Sequence, residues 1–142
     1  MRMLRNLAYG AALAAALVLA AATSASANQA GVRAGGQDRG YGGVNNHGRH
    51  VYACDTKADN WGVRTHYVYL VAGSSTEHSD TVGDGNGSSS GCGIRDLPSD
   101  LHAIRFNVCS GVNGADTGCT GWINVVQTDA TGTSAQVTAG ER

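Results

Sequence analysis

The sequence predicts an all-β domain, either a small antiparallel β-sandwich or an open barrel, stapled by two disulfide bonds. Three observations lead to this prediction. Short runs rich in Val, Tyr, Thr and Ile alternate with glycine-rich turns. No window of helical length after residue 27 shows the periodicity of a helix. All four cysteines lie in that same part of the chain, where they can cross-link strands.

Residues 1–27 have the composition of a secretory signal peptide. Two arginines form a basic start, residues 7–22 are almost entirely Ala, Leu and Val, and residues 25–27 read Ala-Ser-Ala, the small-x-small pattern of a cleavage site. The apolar run is shorter than the ~20 residues that span a bilayer. We predict cleavage after Ala27 and a secreted, extracellular protein with no membrane attachment. The alternative is an uncleaved membrane anchor.

The charge of the chain argues against a nucleic acid as the partner. The sequence contains 10 basic and 11 acidic residues, which give a formal net charge of −1 at pH 7. No basic stripe stands out that could neutralise a row of phosphates. We therefore expect an extracellular protein or a glycan as the partner.

Residues 28–48 are predicted to form a flexible arm. This segment contains seven glycines, and its apolar side chains are scattered. Such a composition buries too little apolar surface to offset the entropy lost on ordering the chain. We therefore expect the sandwich to begin at residue 49 and to extend to residue 128.

Four segments between residues 49 and 128 read as strands because they are rich in β-branched and aromatic residues. They are residues 50–57, 62–73, 101–110 and 121–127. Turn residues separate the first two segments, which predicts an antiparallel hairpin. The remaining residues, 129–142, are predicted to be a tail or to add an edge strand near 135–138.

Two disulfides are expected from Cys54, Cys92, Cys109 and Cys119, because an even number of cysteines in an exported protein is typical of bridges. Of the three connectivities, we favour Cys54–Cys92 and Cys109–Cys119, since the second pair closes a short glycine-rich turn between two predicted strands. The alternative is a zinc site. No C-x-x-C pair is present, so we predict no metal and no cofactor.

Residues 80–93, DTVGDGNGSSSGCG, raise the possibility of a calcium loop. Counting from Asp84 places Asn86 and Ser88 at the offsets of EF-hand ligands. The twelfth position, where an EF-hand has a bidentate Glu, is occupied by Arg95. We therefore predict a glycine-rich connecting loop over residues 80–91, and a weak extracellular calcium site is the alternative.

No catalytic motif is visible in the sequence. A G-x-S-x-G nucleophile elbow is absent, and both predicted bridges together would leave no cysteine free as a nucleophile. The histidines, including His66 on a predicted strand, are expected to be solvated, with metal binding as the alternative. We predict that the protein is not an enzyme.

Trp61 is the strongest candidate for a binding residue. It lies at a predicted hairpin tip, next to Asp59 and Asn60, where a large apolar ring is not required for folding. An exposed aromatic side chain on a rigid loop is typical of an anchor for a partner. We predict a binding site formed by Asp59, Asn60 and Trp61, with residues 80–91 as a second loop. The alternative is that Trp61 packs onto the end of the sandwich. Trp122 is expected to pack in the core against a disulfide.

Two resemblances add to this interpretation. The run CDTKADNWGVRTHYVY (54–69), GCG at 91–93 and CTGWINV at 119–125 resemble a group of small secreted proteins of high-GC Gram-positive bacteria. Those proteins have no assigned function, so the resemblance implies the fold and the compartment. ADN (58–60) and TVGDG (81–85) resemble segments of secreted α-amylase inhibitors of the tendamistat type, which implies inhibition of a secreted hydrolase. The Trp-Arg-Tyr tripeptide of those inhibitors is absent here.

Overall fold

The structure is a computed structural model that describes residues 28–45, 47–84, 89, 91–128 and 134–136. The predicted signal peptide, residues 1–27, lies outside the described residues. The strands are β1 (Gln29–Ala34), β2 (Gln37–Val44), β3 (His50–Asp55), β4 (Trp61–Val71), β5 (Glu77–Gly83), β6 (Gly91–Asp96), β7 (Leu101–Val112), β8 (Ala115–Cys119), β9 (Ile123–Asn124), β10 (Val126–Thr128) and β11 (Ser134–Gln136). In these ranges the chain has no helix that is long and apolar enough to cross a membrane.

The strands form two antiparallel sheets that pack on one another. The first sheet has the order β1-β2-β3-β6, and the second has the order β5-β4-β7-β8, with β9 also paired to β7. A short ribbon of β10 and β11 completes the fold. One core contains residues of both sheets, among them Val32 and Val51 from the first and Tyr67 and Phe106 from the second. The all-β prediction is confirmed, and the arrangement is sandwich-like.

Strand β4 shows why the alternation in the sequence predicts burial. Val63, Thr65 and Tyr67 point into the core and are fully buried, whereas Arg64 and His66 between them remain partly exposed. Successive side chains of a strand point to opposite faces, so one apolar face is enough to fix the register. The polar side chains of β4 therefore line the outer face of the second sheet.

The prediction of a flexible arm over residues 28–48 is wrong. Strands β1 and β2 form an antiparallel hairpin, and β2 pairs with β3 in the first sheet. Val32 and Val44 of this hairpin are buried in the core. A Cβ on Gly42 would overlap the hydroxyl of Thr65. Some of the glycines therefore permit close approach between strands or sheets, and their number does not indicate disorder.

The last described strands are anchored to the start of the sandwich by Asn28. Its side chain is buried, its Nδ2 donates to the carbonyl of Val126 at 2.7 Å, and its Oδ1 accepts from the N–H of Val126 at 2.7 Å. The predicted edge strand near 135–138 corresponds to β11, which pairs with β10. Residues 129–133 and 137–142 lie outside the described part of the chain.

Both predicted disulfides are confirmed. Cys54 on β3 lies opposite Cys92 on β6 and is bonded to it, and Cys109 on β7 is bonded in the same way to Cys119 on β8. Each bridge therefore joins neighbouring strands of one sheet and does not link the two sheets. Two intramolecular disulfides are typical of extracellular proteins.

Candidate functional site: a polar groove on the outer face of the second sheet

A hydrogen-bonded network occupies the centre of the outer face of the second sheet. Asp116 accepts hydrogen bonds from Arg64 Nε at 2.8 Å and pairs with His66 Nε2 at 2.8 Å. The other ring nitrogen of His66, Nδ1, lies 2.7 Å from the hydroxyl of Thr81 on β5. These side chains come from β4, β5 and β8, so three strands fix their positions. His66 lies on the strand surface as predicted and is 29% exposed, but both of its ring nitrogens have protein partners.

The electrostatics of the network keep Asp116 ionised. Burial alone would raise the pKa of the Asp116 carboxyl, but hydrogen bonds from Arg64 and His66, together with their charges, lower it below its usual value. The carboxylate is thus held in one charge state and one orientation at neutral pH. The network therefore presents fixed donors and acceptors to solvent.

Trp122 lies on the surface, and the prediction that it packs in the core is wrong. The residue is 54% exposed, whereas the next residue, Ile123, packs against the core and pairs with Phe106 of β7. The alternation along β9 therefore turns Trp122 outward. The guanidinium of Arg105 lies 5.6 Å from the centre of its ring and also donates to Glu77 at 2.7 Å.

Three open depressions follow one another along β4, and we call them together the β4 groove. The first, of about 560 Å³, lies beside Arg64; the second, of about 450 Å³, lies between His66 and Trp122; and the third, of about 270 Å³, lies beside Val68. The second and third share Ser79 as a lining residue. From residue 62 to residue 68 a strand spans roughly 20 Å, so the three depressions together extend over about this length.

The predicted site residues Asp59, Asn60 and Trp61 lie near one end of this groove, and they have different surroundings. Asn60 is exposed and lines the first depression. Asp59 accepts from the N–H of Trp61 at 2.8 Å and forms an ion pair with Arg39 at 2.5 Å. The ring of Trp61 is half-buried, with the guanidinium of Arg39 4.1 Å from its centre. Asp59 and Trp61 thus have intramolecular contacts that order the loop.

The predicted loop over residues 80–91 is shorter than expected. Residues 80–83 belong to β5, where Asp80 forms an ion pair with Arg95 of β6 at 3.0 Å. The candidate calcium ligands Asn86 and Ser88 lie outside the described residues. The loop prediction is therefore wrong at its beginning and also at its end, because Gly91 is the first residue of β6.

One set of potential metal ligands lies in the described part of the chain, and its chemistry is unsuitable. The ligand atoms of His66, Cys109 and Asp116 lie within 4.8 Å of one another. Cys109 is in a disulfide, so it has no thiolate to offer, and metal binding by cysteine requires the thiolate. Asp116 is already paired with a guanidinium. This cluster is therefore better described as a structural network.

Comparison with known proteins gives no relative for this chain. No protein-family model, no curated protein and no solved structure matches it significantly. The function must therefore be inferred from the geometry of the groove.

Proposed function

We propose that the protein is a secreted, non-catalytic β domain that binds an extracellular glycan chain along the β4 groove. The observation that carries the proposal is the exposed ring of Trp122 beside the network of His66, Asp116 and Arg64. An aromatic ring packs against the C–H face of a sugar ring, and the flanking polar groups can accept hydrogen bonds from sugar hydroxyls or donate hydrogen bonds to them. This combination in an open, elongated groove suits a chain of sugar units.

The network of the groove supports binding because its side chains hold one another in place. Both ring nitrogens of His66 are engaged with Thr81 and Asp116, and Asp116 also pairs with Arg64. The side chains are thus held as a rigid surface, which lowers the entropy lost when a ligand binds.

The alternative of a hydrolase inhibitor receives less support. An inhibitory loop presents exposed side chains that insert into the enzyme's cleft. Among the predicted loop residues, Asp59 and Trp61 contact Arg39, and only Asn60 is well exposed. We therefore prefer the glycan to a protein enzyme as the partner.

The glycan proposal is tested by measuring retention of the pure mature protein on insoluble polysaccharides of different linkage, followed by calorimetry with soluble oligosaccharides. We expect Trp122→Ala to weaken binding by about thirtyfold, the loss typical of an interface anchor. The control is Ile94→Ala, which truncates another large apolar side chain that is 56% exposed, on β6 of the first sheet. Equal binding by Trp122→Ala and the unmodified protein would refute the proposed site, provided that both melt alike.

We further propose export with cleavage after Ala27. The signal-like composition of residues 1–27 and the presence of two disulfides support this proposal. Mass spectrometry of the protein recovered from culture medium should give an N-terminus at Asn28. A retained leader, or recovery only from the membrane fraction, would contradict it.

A further inference from the structure

Two carboxyl groups meet at the end of the sandwich, away from the ring of Trp122. Asp55 ends β3 and is only 5% exposed. Its Oδ1 accepts from the N–H of Lys57 at 2.8 Å, but its Oδ2 is buried with no hydrogen-bond partner among the described residues. Asp84 follows β5, and its Oδ2 is likewise buried and has no partner in the described part of the chain.

The backbone brings these two groups together. Asp55 lies opposite Gly91 on β6, and two residues further along β6 the backbone of Gly93 lies against Gly83 and Asp84. A Cβ on Gly93 would overlap the carbonyl oxygen of Gly83, so glycine permits this approach. The carboxyl of Asp84 lies within hydrogen-bonding reach of the carboxyl of Asp55. Burial, followed by the negative charge of Asp84, raises the pKa of Asp55.

Two carboxylates that each turn a buried, unpartnered oxygen to this site need a positive charge between them. The nearby bases are committed elsewhere. The Arg39 guanidinium pairs with Asp59, and Lys57 Nζ donates to Gln37. The guanidinium of Arg64, which lines the same depression as Asp84, pairs with Asp116. The described side chains therefore leave this pair of oxygens without a neutralising group.

We propose that Asp55 and Asp84 bind a calcium ion beside the first depression of the β4 groove, which Asp84 lines. The available ligands are oxygens, which suit a hard cation such as Ca²⁺. Asp84 lines an open depression, so water can reach the ion and complete the six to eight ligands that Ca²⁺ takes. With two protein carboxylates, we expect an affinity of about 10⁻⁴–10⁻³ M, as in other extracellular modules. This site differs from an EF-hand loop counted from Asp84, because Asp55 comes from another strand.

The proposal is tested by thermal melting of the mature protein at pH 7 with chelator and with about 10 mM Ca²⁺, a concentration well above the expected dissociation constant. Calcium should raise Tm by about 5 °C, and Asp84→Asn should abolish this rise. The control is Asp96→Asn, a side chain that is 79% exposed on β6, which should leave the rise intact. A rise that persists in Asp84→Asn would place the ion elsewhere and overturn the proposal.

A shared proton is the competing explanation, and the same protein distinguishes it. If a proton bridges the two carboxyls, Ca²⁺ will have no effect, and stability will fall as the pH is raised through the elevated pKa of Asp55. That result would also overturn the proposal. Mn²⁺ provides a test on the unmodified chain, in case Asp84→Asn does not fold. Its paramagnetism should broaden the amide signals of Asp55, Gly62 and Asp84, and broadening centred on His66 would contradict the site.

Discussion

Arg39 offers the sharpest test of how the sandwich is held together at the Trp61 end. Its side chain is 7% exposed, its Nε donates to the carbonyl of Ala34 at 2.9 Å, and it pairs with Asp59. Its guanidinium also stacks on the ring of Trp61 at 4.1 Å. Arg39→Met keeps an unbranched apolar stem but removes all three contacts, so the expected loss in the free energy of unfolding is the sum of three contributions.

The charge-assisted hydrogen bond to Asp59 is worth about 1.5–3 kcal/mol, and the bond to the Ala34 carbonyl about 1 kcal/mol. The cation–π contact with Trp61 adds about 0.5–1 kcal/mol. Asp59 remains 33% exposed and can be rehydrated, and the methionine retains the packing of the stem. We therefore expect Arg39→Met to lower the free energy of unfolding by about 3 kcal/mol, which is a large part of the usual 5–15 kcal/mol.

Urea unfolding followed by tryptophan fluorescence and by circular dichroism measures this loss. The matched control is Arg33→Met, the same substitution on the neighbouring strand, where the ion pair with Asp38 is 71% and 80% exposed. Such an exposed pair is worth less than about 1 kcal/mol. If the losses of Arg39→Met and Arg33→Met are equal, Arg39 is not an anchor of the fold. A double-mutant cycle of Arg39→Met with Trp61→Ala should give a coupling of about 0.5–1 kcal/mol.

Three further predictions concern the ends of the sandwich and its core. Asn28→Ala should lower the free energy of unfolding by about 2 kcal/mol in a chemical denaturation series, because it leaves the N–H and carbonyl of Val126 without partners. Burial, followed by the neighbouring Asp80, raises the pKa of Tyr67 to about 12 from 10.0. On raising the pH, Tyr67 therefore loses its proton in the unfolded state before it does so in the folded state. The stability present below pH 10 should fall as the pH rises towards 12, and thermal melting of Tyr67→Phe across that range should show a smaller fall. Removal of the Cys54–Cys92 bridge by alanine substitution of both cysteines should lower the free energy of unfolding by about 4 kcal/mol in the chain-entropy model, and removal of the Cys109–Cys119 bridge should lower it by about 3 kcal/mol. Equilibrium unfolding of the two double variants measures both losses.

The local pattern of the sequence is sufficient for the parts of the fold that depend on alternation and on pairing of neighbours. The strand over residues 62–73 corresponds to β4 at Trp61–Val71, and its apolar face is the buried one. The Cys109–Cys119 bridge could be predicted because a sequence separation of 10 closes a simple hairpin. In both cases, residues close in sequence determine the contact.

The errors come from contacts that no local pattern encodes. The glycine-rich segment 28–48 becomes a hairpin because the core of the sandwich receives Val32 and Val44 and because glycine fits where strands and sheets approach closely. Amino-acid composition shows that the segment has few apolar residues, but it does not show how closely the strands and sheets approach one another. Trp122 is exposed because the next residue, Ile123, pairs with β7. The side chain that turns inward is therefore that of Ile123 and not that of Trp122, which was expected to be buried.

The hydrogen-bonded network of Arg64, His66 and Asp116 also could not be predicted from the sequence. Arg64 and Asp116 are 52 residues apart in the chain, and only the pairing of β4 with β7 and of β7 with β8 brings them together. The alternation of β4 could have indicated that Arg64 and His66 share a face. Their common partner could not be identified without the sheet order.

The outer face of the second sheet is the proposed binding surface for a glycan chain. The most direct measurement is an NMR titration of the isotopically labelled mature protein. The ligand is a soluble oligosaccharide derived from whichever insoluble polysaccharide retains the protein. We predict shifts of the Trp122 indole N–H and of the backbone amides of His66, Ser79 and Thr81, with the amide of Ile94 on the first sheet unchanged. Shifts confined to the first sheet, or no shifts with any glycan, would contradict it.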